Sequence, residues 1–543
     1  MVNIIKSWFE RIPELFEREK RIMASLGFEL DMEKLHAEKQ VLFRGASKCN
    51  IAYPLEFIYP SGFPSFPPTV ICNVPFDLLL TRHHSPDTKV LCCFGFNEER
   101  WNSSYSGLDV FLEVESLISD YLPGTRVPQH DLVPEPVVKY FDYLQNAALL
   151  IPPPFGKLDY GELRKYPYAN IRLNKYGKGI VVSLESKGGR ISLIRAYEDW
   201  FHDTTIYKAK VIVAENPPPS NAATLTDWLE GQGQFVGFRN QQISYYLIIF
   251  PDEWGKRGLT RPTWILIKMS NRMPSWIRCF SINDEDTMIR NPSFSSLKRK
   301  KALLIGAGSV GSSVATALAQ EGIGELTIID PDIYEPSNSI RHQVGQSWFG
   351  FNKVEALKER INSLSPETIV TPLTARVGNT RRNDNEYLMA EIIRSDIVID
   401  TTGSHSVTHY MNSLCMDIGK PFLVGTVTNG AWSSEVITIC PGDTGCWICW
   451  NMQYGMEMPP SEPMSNLTFA PGCNQPTFSG GVSNIIVAAG FIVQAAIDVL
   501  LKKRLAGQEY LVWHSRNKEG ERSYGIECKP ITKHPNCNHC KRT

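Results

Sequence analysis

From Lys301 onward, short apolar runs alternate with helix-like segments, and no other feature constrains the fold as strongly. The runs are KALLIGAG (301–308), GELTIIDPD (324–332), SDIVIDTTG (395–403) and PFLVGTV (421–427). Apolar strands separated by helices cannot pair as hairpins, so the pattern predicts a mostly parallel sheet in a doubly wound α/β domain. Upstream, proline clusters at 121–136, 151–156 and 216–221 punctuate the chain. They set expected domains of 1–150, 151–295 and 296–543. The first opens with an amphipathic helical pattern and continues through short strands. The second mixes strand-like runs with helical pieces, reads as α+β, and shows no catalytic constellation.

Composition narrows the function classes. The 543 residues are 43% hydrophobic and 21% charged with a net charge of −1, which describes a globular chain without the basic footprint of a nucleic-acid binder. The N-terminal twenty residues lack the apolar core and small-residue cleavage site of a secretory signal. The most apolar segment, NIIVAAGFIVQAAIDVLL, is interrupted by Gln494 and Asp498, which favours a buried helix over a membrane span. Thirteen cysteines, four of them in C-x-x-C pairs, suit a reducing compartment better than a disulfide framework. A cytoplasmic protein is expected.

The loop GAGSVG places Gly306, Gly308 and Gly311 in a G-x-G-x-x-G pattern between a strand and a helix. Such a loop offers backbone N–H groups to a phosphate at a helix N-terminus. Asp330, ending the next strand, suits a ribose, and both NAD and adenosine nucleotides carry one. The following stretch separates the two. EPSNSIRHQ brings Asn338, Arg341 and Gln343, with Lys353 soon after. A triphosphate attacked at its α-phosphorus needs cations on several oxygens, whereas a nicotinamide dinucleotide does not. Asp400, at the end of SDIVID, suits a Mg²⁺ ligand facing the same crevice. Taken singly, Arg341 and Lys353 read as solvated helix charges and Asp400 as a helix cap; together they read as a nucleotide site.

On these residues, 301–540 resembles the adenylating domain of the ThiF/MoeB/ubiquitin-activating superfamily. The resemblance implies a Rossmann-like fold that binds ATP·Mg²⁺ and joins AMP to the C-terminal carboxylate of a small protein. It implies a homodimer in which the arginine reaches the site of the partner protomer. Cys446 and Cys449, with Cys537 and Cys540, form two C-x-x-C pairs that suit a closed, structural Zn²⁺ site. Between the pairs, Cys473 in PGCNQPTFSGG stands where thioester-forming members carry their nucleophile, and a thiolate suits acyl transfer.

Residues 1–120 resemble ubiquitin-conjugating enzymes, an α+β fold. FPSFPPTV matches their strand-entry signature through Phe63, Pro64, Pro67, Pro68 and Val70, and RHHSPDTKVLCCFGFNEERW follows. Spacing from His83 or Trp101 points to Cys93 as the conjugating thiol. Strand alternation, with Leu91 and Cys93 facing inward, points to Cys92, the preferred assignment. Ser85 stands where the family has an asparagine, which leaves the oxyanion donor unassigned; His83 and His84 are structural, substitute donors, or neither. The whole resembles the ThiF-family fusions of CBASS antiphage systems. The implied sequence is adenylation, a thioester on Cys473, transfer to Cys92 or Cys93, and conjugation to a target amine. The activated protein would be a cyclic-nucleotide synthase or a ubiquitin-like protein. Activation of a sulfur carrier, as in thiamin or molybdopterin synthesis, is the alternative.

Overall fold

The structure, a computed structural model, describes residues 7–540 apart from 50–51, 76–77, 87, 95–99, 130, 194–196, 198–202, 220–221, 233–243, 271–272, 379–381, 464–467, 470–475 and 478. The chain divides into two compact units, residues 1–193 with 201–282, and residues 194–200 with 283–543.

The first unit begins with an antiparallel sheet of Glu29–Leu30, Val41–Ala46, Pro54–Tyr59 and Thr69–Cys72, in sequence order. Strand period sets its buried face: Leu55, Phe57 and Tyr59 alternate inward. They pack with Val110, Val114 and Ile118 of the helix Gly107–Tyr121 and with Met23 of Pro13–Ser25. Ser106 and Asp109 form a capping box at the start of Gly107–Tyr121. The fully buried Glu19 accepts from the Gly107 N–H at 2.7 Å and from the Tyr59 hydroxyl at 3.0 Å. A carboxylate there meets the positive end of the helix. Trp101 Nε1 donates to the Pro64 carbonyl at 2.9 Å, so the FPSFPP segment and the tryptophan meet in space.

The same unit continues as an eight-stranded sheet ordered Tyr143–Ile151, Met273–Ser281, Lys256–Ser270, Ser244–Trp254, Thr204–Val213, Tyr168–Asn174, Lys178–Ser186, Gly189–Ser192. Tyr143–Ile151 also pairs in parallel with Lys178–Ser186, which closes the sheet on itself. One apolar cluster fills one face, with Leu149, Ile171, Leu247 and Leu266 among its members. On the other, Ile248, Phe250 and Ile265 pack against Leu225 and Leu229 of the helix Ala222–Gly231. Strand dominates this region, with a few helical pieces such as Ala222–Gly231. The proline-rich stretch 121–136 is tied down by Arg82, which contacts Asp131 at 2.9 Å and Glu253 at 3.0 Å with little exposure.

The second unit holds a sheet ordered Ile369–Leu373, Glu325–Ile329, Lys301–Ile305, Ile397–Asp400, Phe422–Val427, Ser433–Ile439, Tyr510–Arg516, Arg522–Lys529. The first five strands run parallel and the rest pair antiparallel. Along Lys301–Ile305, Ala302 and Leu304 face one core and Leu303 and Ile305 the other. Helices Ser309–Gln320, Lys353–Leu364 and Val482–Leu500 cover the first face; Arg382–Arg394, His405–Asp417 and Trp447–Tyr454 cover the second. This is a doubly wound α/β arrangement. Among the described helices, Val482–Leu500 is long and apolar enough to cross a membrane. In this fold it buries Ile485, Ala489, Ile492, Val493 and Ala496 in the sheet core.

Candidate functional site

Parallel register assembles the crevice of the second unit. Ile305 pairs with Ile329 on one side and Asp400 on the other. Gly306, Asp330 and Asp400 therefore stand on adjacent strand ends, at the sheet edge where doubly wound folds bind ligands. Gly306 has φ +93°, a left-handed conformation. A Cβ on Gly311 would lie 1.9 Å from the Gly306 carbonyl oxygen, so the helix Ser309–Gln320 packs directly onto its own loop. A Cβ on Gly308, at the N-cap of that helix, would meet nothing within 4 Å. Two glycines thus build the turn, and the third leaves its top open to a ligand.

Three side chains pin the loop from beneath. Asp330 accepts from the Ala307 N–H at 2.7 Å and the Asp332 N–H at 2.8 Å. His342 Nε2 donates to the Ala307 carbonyl at 2.8 Å. Thr401 donates to the Gly306 carbonyl at 2.9 Å. Burial raises the Asp330 carboxyl above its ordinary value, against the opposing charge of Lys353. Gln343 docks the N-x-x-R-x-Q segment on the first turn of the helix: its N–H reaches Ser312 Oγ at 3.4 Å and its Nε2 reaches Ser313 Oγ at 3.1 Å. Asn338 is half-buried and caps its own turn by accepting from Glu335 N–H at 3.1 Å. Arg341 is half-buried, and burial lowers its pKa. Lys353 begins its helix with Nζ 2.9 Å from Asp332.

Asp400 is fully buried, with one oxygen accepting from Thr402 N–H at 2.9 Å and Thr402 Oγ1 at 2.7 Å, and the other from Thr408 Oγ1 at 2.6 Å. Burial raises its pKa despite those bonds. A carboxylate offers about four lone-pair positions, so three engaged here leave little for a Mg²⁺ ion. In this conformation Asp400 braces the start of the helix His405–Asp417, and its fit to a metal is incomplete.

The four cysteines of the two C-x-x-C pairs meet. Cys446 and Cys537 lie 3.5 Å apart, Cys449 and Cys540 3.5 Å, and Cys446 and Cys449 3.9 Å, with all four sulfurs within 4.8 Å. Zn–S bonds of about 2.3 Å in a tetrahedron put sulfurs about 3.8 Å apart. The donor set fits Zn²⁺ and leaves no open position. Cys473 lies outside the described residues, between the paired strands Thr468–Phe469 and Pro476–Thr477.

The first unit holds a cleft of about 1120 Å³ lined by Phe66, Pro67, Pro68, His83, Ser85 and Val90, by both Cys92 and Cys93, and by Lys139–Asp142. Leu91 and Cys93 are 4% and 6% exposed, while Cys92 is half-buried. Burial pushes the Cys93 thiol far up. His84 is buried, with Nε2 3.1 Å from the Cys72 carbonyl and Nδ1 accepting from Leu80 N–H. Ser85 Oγ accepts from Thr88 N–H at 3.3 Å.

Residues 285–539 match the ThiF family. The second unit thus carries a ThiF-family domain with the MoeB/ThiF-like adenylyltransferase fold. Uncharacterized protein y4oA of Sinorhizobium fredii is 34% identical over 280 residues, which span 48% of this chain and 47% of that protein. Molybdopterin-synthase adenylyltransferase of Escherichia coli is 27% identical over 161 residues, 30% of this chain and 62% of that one. ATP-dependent ubiquitin transferase-like protein Cap2 of Enterobacter hormaechei is 28% identical over 176 residues, 32% of this chain and 28% of that one. The chain spans about half the length of the first curated relatives it matches.

Sequence reasoning missed His342, Thr401 and the contribution of residues 131–142. His342 occupies a variable position inside N-x-x-R-x-Q, and no periodicity marks it. The acidic pair Asp131 and Glu135 within a proline-rich run was the available signal that this stretch is more than a spacer.

Proposed function

We propose that the chain uses ATP to adenylate the C-terminal carboxylate of a protein, captures the acyl group on Cys473, passes it to Cys92, and joins it to a target amine. The observation that carries the first step is the open Gly308 N-cap above a loop braced by Asp330, with Arg341 and Lys353 close by in sequence. A carboxylate oxygen attacks the α-phosphorus and pyrophosphate leaves. The N–H groups of the helix N-terminus stabilise the phosphate charge, and the two cations add to it. Mg²⁺ would arrive on the nucleotide's phosphates, and no step here depends on its binding to Asp400. Thiolate attack on the adenylate then forms a thioester and releases AMP. Zn²⁺ held by Cys446, Cys449, Cys537 and Cys540 is structural in this reading.

The half-buried Cys92, in a cleft large enough for a peptide tail, supports the transfer step and favours conjugation over sulfur-carrier activation. A reducing cytoplasm, a homodimer through the second unit, and an antiphage role of the CBASS type complete the proposal. The test is incubation of the full chain with ATP, Mg²⁺ and proteins encoded beside it. Carrier-dependent exchange of pyrophosphate into ATP, followed by a thiol-labile adduct and then an amine-linked conjugate, is expected. A thiocarboxylate product without conjugates would replace this reading with sulfur transfer; no exchange would end it.

A further inference from the structure

Cys92 has a cross-strand neighbour with unusual geometry. The bridge His84↔Leu91 and the 2.8 Å bond from Cys92 N–H to the His83 carbonyl place residues 83 and 92 side by side. His84 and Leu91 are buried, while His83 and Cys92 both line the cleft and are more exposed. His83 has φ +59°, a conformation that costs a non-glycine residue of its kind and that clusters at functional sites. Its backbone is over-determined: its N–H donates to Glu135 Oε2 at 2.8 Å while its carbonyl holds Cys92. The ring is also held. Nε2 lies 3.4 Å from Asp131 Oδ2, and the imidazole packs edge-on against Tyr121. Asp131 is itself buried and fixed by Arg82. Among the described residues Nδ1 makes no hydrogen bond.

Cross-strand neighbours that carry a thiol and an imidazole, with a buried carboxylate behind the imidazole, supply the residue types of a nucleophile–base–orienter set. We propose that His83 is the general base of acyl transfer at Cys92, with Asp131 as its positioning residue. The proposal rests on Cys92 being the transfer thiol. As the acceptor amine attacks the Cys92 thioester, the C–N bond forms and the C–S bond breaks. The electron pair leaves with Cys92 Sγ, and the amine's surplus proton passes to His83 Nδ1. The Asp131 carboxylate stabilises the imidazolium. The charged and titratable groups around the cleft at the ring are Arg82, Tyr121, Asp131, Glu135, Lys139, Tyr140 and Glu253.

The test needs no natural carrier. The full chain is acylated with the mercaptoethanesulfonate thioester of N-acetylglycine, and loss of the acyl group from Cys92 to free lysine is followed by peptide-resolved mass spectrometry across pH. His83→Asn keeps a residue that tolerates positive φ while removing the base. The wild type should discharge about 100-fold faster than His83→Asn. Its rate should climb more steeply below the imidazole's titration than above it, while the variant climbs with one slope. His83→Gly, which also suits this backbone, should regain discharge when imidazole is added, separating proton transfer from a lost fold. Equal rates and equal pH slopes in wild type and His83→Asn, with Cys92 loaded in both, would overturn the base assignment alone. No label on wild-type Cys92 would overturn the transfer thiol itself.

Discussion

His342 donates from Nε2 to the Ala307 carbonyl at 2.8 Å while its Nδ1 accepts from Val344 N–H at 3.2 Å. Both ring nitrogens are thus committed, and only the neutral tautomer satisfies both bonds. Burial drives the imidazole pKa down to about 4. Between the unfolded value of about 6.5 and that lowered value, the unfolded chain binds more protons than the folded one. Stability therefore falls as pH drops through this window, by at most about 3 kcal/mol. His342→Gln should flatten the decline in melting temperature between pH 7 and pH 5. It should also weaken nucleotide binding at pH 7, because the loop loses a brace. An unchanged pH slope in the variant would contradict the assignment.

The loop glycines separate folding from ligand access. At Gly311 a Cβ would sit 1.9 Å from a backbone oxygen, a collision that no rotamer relieves. Gly311→Ala should cost upwards of about 2 kcal/mol and lower the melting temperature of the second unit. At Gly308 the space is open and φ is −76°, so alanine strains nothing. Gly308→Ala should melt with the wild type yet bind ATP at least about tenfold more weakly, since the methyl occupies the approach to the phosphate. Calorimetric titration and thermal melts of the two variants check both halves. Wild-type ATP affinity in Gly308→Ala would move the nucleotide away from this loop.

How much of this was legible beforehand depends on the range of the interaction. The crevice could be read because its parts are local: a strand end, a glycine turn and a helix start follow one another from Ile305 to Gln320. The meeting of Cys446 and Cys449 with Cys537 and Cys540 spans 91 residues between partners, yet two C-x-x-C spacings announced it. The closed sheet of the first unit was not legible, because its closure pairs Tyr143–Ile151 with Lys178–Ser186 and nothing in either strand encodes that register. Nor was the docking of Asp131 and Glu135 beside His83, which depends on where a proline-rich chain turns back. Asp400 shows a third case. Its position at a strand end was readable, but the commitment of its oxygens to Thr402 and Thr408 arises from side-chain packing alone.

That commitment can be measured. Removing the Thr408 hydroxyl leaves Asp400 Oδ2 buried without this donor, and removing the carboxylate charge changes what Thr408 faces. Thr408→Val and Asp400→Asn should each cost about 1–3 kcal/mol. Their double mutant should cost less than the sum, with a coupling of about 1 kcal/mol or more. Additive losses in a denaturant-based cycle would show that the bond carries little stability and leave the carboxylate freer to accept a metal.

The cysteine quartet should hold one Zn²⁺ per chain. Its sulfurs already stand near tetrahedral spacing, and the two halves join the helix Trp447–Tyr454 to the C-terminal turn. Cys537→Ser should release the metal and lower the melting temperature of the second unit by on the order of 10 °C, given several kcal/mol of binding energy. Elemental analysis of the purified chain before and after the substitution, with a melt in chelator, provides the check. A metal-free wild type with full stability would rule zinc out.

Adjacent cysteines at 92 and 93 should behave as opposites. Cys93 is 6% exposed among Leu91, Phe94 and the helix Gly107–Tyr121, and burial holds its thiol in the protonated state. Replacing its sulfur by a hydroxyl buries a polar group in an apolar cluster, which should cost about 1–3 kcal/mol. Cys93→Ser should therefore lower the melting temperature of the first unit while the Cys92 thiol still reacts. Cys92 is half-buried and opens into the cleft, so Cys92→Ser should leave the melt almost unchanged and abolish acyl loading there. Timed alkylation with iodoacetamide at pH 8 should mark Cys92 at least about tenfold faster than Cys93, because only an accessible thiolate attacks. If Cys93 were alkylated first in the folded protein, the strand face would be reversed, and the side-by-side placement of Cys92 and His83 would fall with it.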